Sequence, residues 1–177
     1  FQLRAYSHFN SMTEVMGEVI PNFAANAPTT ASLYVKVHPY DPNVQNFRRT
    51  CNRIACQNGV SDRIFFIDGG NGAELIAHCA GVVTVNSTMG LEAVMNDCPT
   101  FVLAQCHYRV DGLVQTDDLS AFWQNPKPVD SDLRADFVSA MVACSLIRGV
   151  FYEEPGVSHA VSEAKWRLVN GMVGKPV

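Results

Sequence analysis

The stretch from Gly81 to Val94 constrains the fold most, because its pattern changes abruptly in the middle. An apolar, β-branched segment is followed by Asn86-Ser87-Thr88 and then by a helical pattern that contains Gly90. This order is typical of a strand, a turn and a helix. A Ser or Thr at a helix start satisfies one backbone N–H group, while the others face outward with the positive end of the helix dipole. The stretch therefore predicts either a plain cap, with Gly90 allowing close packing on the sheet, or an anion-binding helix terminus.

Strand and helix patterns alternate along the rest of the chain. Predicted strands cover residues 33–37, 64–67, 82–85 and 99–104. Predicted helices cover residues 11–23, 41–58, 73–79, 88–94, 117–123, 130–148 and 157–172. Such alternation is typical of parallel strands joined by right-handed crossovers. We therefore expect an α/β protein whose open parallel sheet is covered by helices on both faces.

Four residues directly follow the predicted strands: His38, Asp68, Ser87 and Gln105. Parallel strands end at the same edge of a sheet, so we expect these residues to line one edge, which we call the strand-exit edge. Ligands of open α/β sheets bind in the crevice outside this edge. The sequence therefore joins four separate turns into one candidate site.

Three parts of this edge suggest specific chemistry. His38 can donate to a phosphate or assist a leaving group, although a single histidine is often structural. Glu92, one turn into the helix after Ser87, can accept hydrogen bonds from ribose hydroxyls or face solvent. The turn Asp68-Gly69-Gly70-Asn71-Gly72 lacks the Lys-Ser/Thr end of a P-loop and the full dinucleotide fingerprint. We interpret it as a tight turn that touches a nucleotide base through backbone groups.

Charge, hydropathy and cysteine spacing exclude several classes of function. A net charge of -4 gives no electrostatic footprint for nucleic acid. No apolar run approaches the roughly 20 residues that cross a bilayer, and the N-terminal residues lack a secretion-signal pattern. The six cysteines show neither a CxxC pair nor zinc-ligand spacing. We expect reduced packing cysteines, no metal site and a cytoplasmic location.

The pairing of His38-Pro39 with the motif VTVNSTMGLEA at residues 83–93 resembles bacterial capsule polysaccharide biosynthesis proteins, the β-Kdo transferases of capsule linker assembly. Tyr108, Gly112-Leu113 and the pattern LSAFW at residues 119–123 follow in the same order, together with residues 149–152. The resemblance runs from about residue 10 to residue 152.

This resemblance implies the C-terminal, Rossmann-like half of a GT-B glycosyltransferase, which binds the nucleotide sugar CMP-Kdo. It implies a nucleotide-sugar-binding domain over residues 1–152, with residues 153–177 as a C-terminal helix packed on it, and no cofactor or bound metal. In similar CMP-sugar enzymes the HP histidine and a Ser/Thr pair contact the CMP phosphate, which assigns that role to His38, Ser87 and Thr88, with His38 as the leaving-group contact. The wider predicted donor-binding set adds Pro39, Asp68, Gly69, Asn86, Gly90 and Glu92.

Family enzymes of this kind have a second, N-terminal lobe with the acceptor contacts and the catalytic carboxylate. The 177 residues leave no room for that lobe, and the Gln-Pro-Glu motif of some members is absent. We therefore expect a fragment, or a domain that needs a partner lobe or subunit, with peripheral association at the inner membrane face compatible with the sequence. Two alternatives stay open: a non-catalytic nucleotide-sugar-binding or scaffold module, and a GT-B enzyme or epimerase that uses a UDP-sugar.

Overall fold

The computed structural model describes residues 2–37, 45–147, 149–150 and 152–172. The chain divides into two compact units, Phe1–Asp130 and Ser131–Val177. In the first unit the elements are α1 (Gln2–Tyr6), α2 (Met12–Asn26), β1 (Leu33–Lys36), α3 (Phe47–Gln57), β2 (Ile64–Ile67), α4 (Gly72–His78), β3 (Val82–Thr84), α5 (Thr88–Met95), β4 (Thr100–Val102) and α6 (Leu119–Gln124). The second unit contains α7 (Ser131–Cys144) and α8 (Gly156–Val169).

The strands pair in parallel, as predicted. Strand β1 pairs with β2, and β3 pairs with β4, with Val83 opposite Phe101. Gln115 extends the second sheet, because its backbone N–H donates to the Thr100 carbonyl and its carbonyl accepts from the Val102 N–H. Among the described residues the strands therefore form two small sheets of two strands each rather than a single ladder of four. The fold is α/β and Rossmann-like, with short strands.

Neighbouring residues of β3 show that helices cover both faces. Val82 packs with Ile76 of α4 and Ala93 of α5. The next residue, Val83, packs with Phe122 of α6 on the other side. Successive side chains of a strand point to opposite faces, so α4 and α5 lie on one face of this sheet and α6 lies on the other. The predicted coverage of both faces is confirmed.

Helix α2 packs against both sheets and forms the centre of the first unit. Ile20 and Phe23 lie in a buried cluster with Ile64 of β2 and with α3, whereas Val15 packs with Val85, directly after β3. This is the amphipathic spacing that the sequence predicts for residues 11–23. Ser11 caps the helix, since its side chain accepts from the Glu14 N–H.

Two predicted helix boundaries differ from the structure. Helix α3 begins at Phe47, because the Asn46 side chain accepts from the Arg49 N–H, so residues 45 and 46 lie outside the helix that the sequence predicted there. The predicted start at Asp41 lies outside the described residues. Helix α7 ends at Cys144 rather than near residue 148. Within the second unit the Arg167 guanidinium donates to the Val142 carbonyl, which joins its two helices. The predicted packing of the last helix on the first domain stays a prediction.

Candidate functional site

Ser87 is the residue from which the candidate site is built. Its Oγ accepts from the Met89 N–H at 3.2 Å, and its own N–H donates to Thr84 Oγ1 at 3.2 Å. The predicted N-cap is therefore confirmed, and α5 begins at Thr88. Ser87 and Thr88 are both exposed, so a ligand outside the sheet can reach the first turn of the helix.

Tyr108 forms a hydrogen bond to the backbone of the capping residue. Its hydroxyl donates to the Ser87 carbonyl, which also accepts from the Gly90 N–H at 2.9 Å. The Tyr108 side chain is fully buried, and this burial raises its pKa above the ordinary value. The phenol therefore stays protonated at neutral pH and remains a hydrogen-bond donor. The position of the α5 terminus thus depends on a residue 21 positions later in the chain.

Gly90 lets α5 approach the sheet closely. A Cβ atom at this residue would lie 2.5 Å from Tyr108 Oη and 2.7 Å from Thr84 Cγ2. Both distances are shorter than a Cβ contact allows, so the close packing requires glycine. The structural role for Gly90 that the sequence suggested is confirmed, and it coexists with an accessible helix terminus.

The turn after β2 lies next to this terminus. Asn71 caps α4, since its Oδ1 accepts from the Ala73 N–H at 3.0 Å, and Gly70 has φ +83° in the left-handed region that favours glycine. A Cβ on Gly72 would lie 3.3 Å from Met89 Cε, so the first residues of α4 and α5 are in contact. The predicted tight turn is confirmed, and the structure brings it together with the Ser87 cap.

Asp68 forms an ion pair at the end of β2. Its Oδ2 lies 2.6 Å from the Arg48 guanidinium, which also stacks 5.0 Å from the Phe66 ring centroid. The hydrogen bond from Arg48 holds the pKa of the Asp68 carboxyl below its ordinary value. Both side chains are exposed, at 49% for Arg48 and 70% for Asp68. The strand-exit edge therefore carries an exposed ion pair that the sequence analysis did not identify.

The strand-exit edge after β4 contains a cavity of about 330 Å³. The end of α1 and the segment after β4 line it, and the Gln105 N–H donates to the Tyr6 carbonyl at 2.9 Å across its wall. His8 and Arg109 also line the cavity, and His8 lies 3.3 Å from Glu18. Within the described part of the chain the Arg109 guanidinium has no ion pair, so its charge is available to a ligand.

The predicted site residues therefore have different outcomes. Two neighbouring turns carry most of the predicted residues: the turn after β2 contains Asp68 and Gly69, and the turn after β3 contains Asn86 and Ser87, followed by Thr88. Asn86 is half-buried, and Glu92 is exposed on α5. His38 and Pro39 lie outside the described residues. The sequence analysis missed Arg48, Arg109 and the role of Tyr108. Each depends on a contact with a distant part of the chain, which no local sequence pattern indicates.

The described ranges contain neither a candidate metal cluster nor a helix suited to crossing a membrane. No cluster of three His, Cys, Asp or Glu residues within them could hold a metal ion. None of the helices in these ranges combines the length and the apolar character that crossing a membrane requires.

The family model described as capsule polysaccharide biosynthesis protein matches residues 1–152. The capsule polysaccharide export protein KpsS of Escherichia coli is 29% identical over 151 residues, which cover 85% of this chain and 39% of that protein. The capsule polysaccharide modification protein LipB of Neisseria meningitidis serogroup A is 27% identical over 154 residues, which cover 86% of this chain and 37% of that protein. The LipB protein of serogroup B gives the same values.

The chain thus spans less than two fifths of the length of these curated relatives. No solved structure matches it significantly.

Proposed function

The chain belongs to the capsule polysaccharide biosynthesis protein family, and from that premise we propose that it is the donor-binding lobe of a glycosyltransferase that uses CMP-Kdo. The lobe binds the nucleotide sugar at the strand-exit edge and acts with a second lobe or subunit that supplies the acceptor contacts. The observation that carries the proposal is the exposed N-terminus of α5, with the hydroxyls of Ser87 and Thr88 in its first turn.

Helix α5 supports phosphate binding in two ways. Its first N–H groups and its dipole present a positive partial charge at the terminus, which favours an anion. Ser87 Oγ already accepts from the Met89 N–H, so its hydroxyl hydrogen remains able to donate to a phosphate oxygen. Thr88 offers a second hydroxyl beside it. The CMP phosphate therefore binds at Ser87 and Thr88, as the family resemblance implies.

Arg109 gives the proposal a feature specific to an acidic sugar. Kdo carries a carboxylate, and a guanidinium can bind a carboxylate through two parallel hydrogen bonds. Arg109 lines the cavity after β4 and directly follows Tyr108, which bonds to the Ser87 carbonyl. The sugar carboxylate therefore lies toward Arg109 while the phosphate lies at Ser87. Glu92 accepts from the ribose hydroxyls, and His38 contacts the leaving phosphate.

Calorimetric titration with CMP tests the phosphate site. Ser87→Ala removes a hydrogen bond to a charged group and is expected to weaken CMP binding by roughly 10-fold or more. Ser11→Ala is the matched control, because Ser11 caps α2 in the same way, through the Glu14 N–H at 3.2 Å. Both variants lose about 1 kcal/mol of cap stability, but only Ser87→Ala loses affinity. Equal CMP affinity in both variants, or no heat with the unaltered chain, refutes the site.

A second titration tests the sugar and the nucleotide separately. Arg109→Gln is expected to weaken binding of CMP-Kdo while leaving binding of CMP unchanged. Arg53→Gln is the control, since Arg53 is an exposed arginine that bonds to Gln57 on α3. Competition between CMP and UDP then distinguishes this donor from a UDP-sugar used by a related GT-B enzyme or epimerase. Tighter binding of UDP would replace CMP-Kdo by that alternative.

A non-catalytic nucleotide-sugar-binding module is the second candidate. Such a module would bind CMP-Kdo as described above and transfer no sugar. Transfer of radiolabelled Kdo to a lipid-linked acceptor by the purified chain alone would exclude it. Transfer only after addition of a partner lobe would support the first candidate.

A further inference from the structure

Two cysteines that are far apart in the sequence lie side by side on the α4–α5 face. The Sγ atoms of Cys79 and Cys98 are 3.5 Å apart. Cys79 directly follows α4 and is exposed, whereas Cys98 lies between α5 and β4 and is only 6% exposed. A disulfide needs about 2.05 Å between sulfur atoms, so closure requires an approach of about 1.5 Å. Cys79 lies in extended backbone just beyond the helix.

We propose that Cys79 and Cys98 form a dithiol site that reacts with a low-molecular-weight disulfide such as glutathione disulfide and closes to an intramolecular disulfide. This site is separate from the proposed donor site and does not depend on it. The geometry gives each sulfur a different role. Cys79 is the accessible thiol that meets the reagent, and Cys98 is the buried thiol that resolves the intermediate.

The protonation of the pair fits these roles. The hydrogen bond from the Cys98 thiol lowers the pKa of Cys79, which favours the thiolate form of Cys79. The same hydrogen bond, together with burial, raises the pKa of Cys98. The thiolate is the nucleophilic form of cysteine, and it is located on the exposed member of the pair.

The reaction has two steps. The Cys79 thiolate attacks one sulfur of glutathione disulfide, which breaks the S–S bond, releases one glutathione thiolate and leaves a mixed disulfide on Cys79. Cys79 then carries no negative charge, so the main cause of the raised Cys98 pKa disappears. Cys98 loses its proton to solvent and attacks Cys79 Sγ, which releases the second glutathione thiolate. The protein loses two electrons and two protons, and glutathione disulfide is reduced to two glutathione molecules.

The new bond would fasten together the ends of two helices. It joins the C-terminus of α4 to the segment after α5, beside the cluster of Ile76, Ala93 and Met89. It also closes a loop that contains β3 and α5. A bond that closes such a loop restricts the unfolded chain, so the oxidised protein should unfold at a higher temperature than the reduced protein.

Intact-mass measurement after exposure to glutathione disulfide tests the site. The Cys56→Ser/Cys144→Ser double variant serves as the parent, because it removes the two other exposed thiols and keeps the pair. We expect this protein to lose the mass of two hydrogen atoms and to retain no glutathione. Glu92 lies between the two cysteines, so a glutamate-specific protease should leave them on separate peptides that only reduction releases from each other.

Single substitutions in this parent distinguish the two roles. Cys98→Ser should retain one glutathione on Cys79, whereas Cys79→Ser should retain none. Stable glutathione on the parent, or peptides of Cys79 and Cys98 that separate without reduction, would overturn the proposal. Circular dichroism checks that each variant is folded. If Cys98→Ser does not fold, the peptide test on the parent still shows whether the disulfide forms. The unfolding midpoint of the oxidised parent should exceed that of the reduced parent by several degrees.

Discussion

The hydroxyl of buried Tyr108 donates a hydrogen bond to the backbone carbonyl of Ser87, the residue that caps α5. The two residues are 21 positions apart, and strand β4 lies between them. This bond attaches the start of α5 to the segment that lines the cavity after β4. Tyr108 does not reach the exposed face of the helix terminus, so it is a positioning residue rather than a ligand contact.

Tyr108→Phe should destabilise the protein only moderately. The Ser87 carbonyl would still accept from the Gly90 N–H, so no buried acceptor is left unpaired. We expect the free energy of unfolding in urea to fall by about 1 kcal/mol, and amide exchange at Met89 and Gly90 to accelerate. Tyr34→Phe is the control, because Tyr34 is 56% exposed and should leave both quantities unchanged. Unchanged exchange at Met89 and Gly90 in Tyr108→Phe would contradict the positioning role.

The raised pKa of Tyr108 also predicts that wild type and Tyr108→Phe differ in stability at alkaline pH. Burial raises its pKa in the folded state, so the folded protein holds this proton more tightly than the unfolded chain does. The associated stability is complete below the unfolded pKa of about 10 and is lost as the pH rises above that value. Wild type should therefore lose stability above pH 10 faster than Tyr108→Phe does. Urea unfolding of both proteins across this range measures the difference, and parallel curves would contradict the prediction.

Gly90→Ala should be more damaging than its size suggests. The added methyl group would lie 2.5 Å from Tyr108 Oη and 2.7 Å from Thr84 Cγ2, which forces α5 away from the sheet. We expect a loss of about 1–3 kcal/mol in the free energy of unfolding. Gly17→Ala is the matched control, since Gly17 lies inside α2 with nothing within 4 Å of the added atom. That control should gain about 0.5–1 kcal/mol from helix propensity, and equal effects in the two variants would refute the packing argument.

The sequence predicted the local elements of the first unit well, because each depends on short-range signals. Strand β2 has its predicted bounds, and Ser87 caps α5 where the change of pattern indicated. Residues 45 and 46 were predicted to be helical because Asp41 and Asn46 are both capping residues, and the sequence does not rank them. The Asn46 side chain accepts the Arg49 N–H and decides the boundary.

Side-chain contacts between residues distant in the sequence could not be predicted from the sequence. Arg48 and Asp68 are 20 positions apart, and the two thiols of Cys79 and Cys98 are 19 apart, so no local pattern pairs them. The site was predicted as a set of strand exits because parallel pairing alone brings those together. Which side chain bonds to which at that edge depends on how the helices pack.

Asn22 provides a test of the packing between α2 and α6. Its Oδ1 accepts from the Trp123 indole N–H at 2.8 Å, and its Nδ2 donates to Ser120 Oγ at 3.1 Å. Asn22→Ala leaves these partly buried groups without a partner, so the free energy of unfolding should fall by about 1–3 kcal/mol. Asn52→Ala, on the exposed face of α3, is the control and should change stability little. A loss in Asn22→Ala no larger than in the control would show that the bridge is not stabilising.

The ion pair between Arg48 and Asp68 predicts a pH dependence with a definite sign. The hydrogen bond from Arg48 lowers the folded-state pKa of Asp68, so its contribution to stability is present above the unfolded pKa and is lost as the pH falls through the folded pKa. In Arg48→Gln the pKa of Asp68 should rise toward the ordinary value of about 3.9, measured by NMR titration of its carboxyl carbon. Arg53→Gln changes an arginine on the same helix that bonds to Gln57 and should leave the Asp68 titration unchanged. An Asp68 pKa that is the same in wild type and Arg48→Gln would show that the pair does not persist in solution.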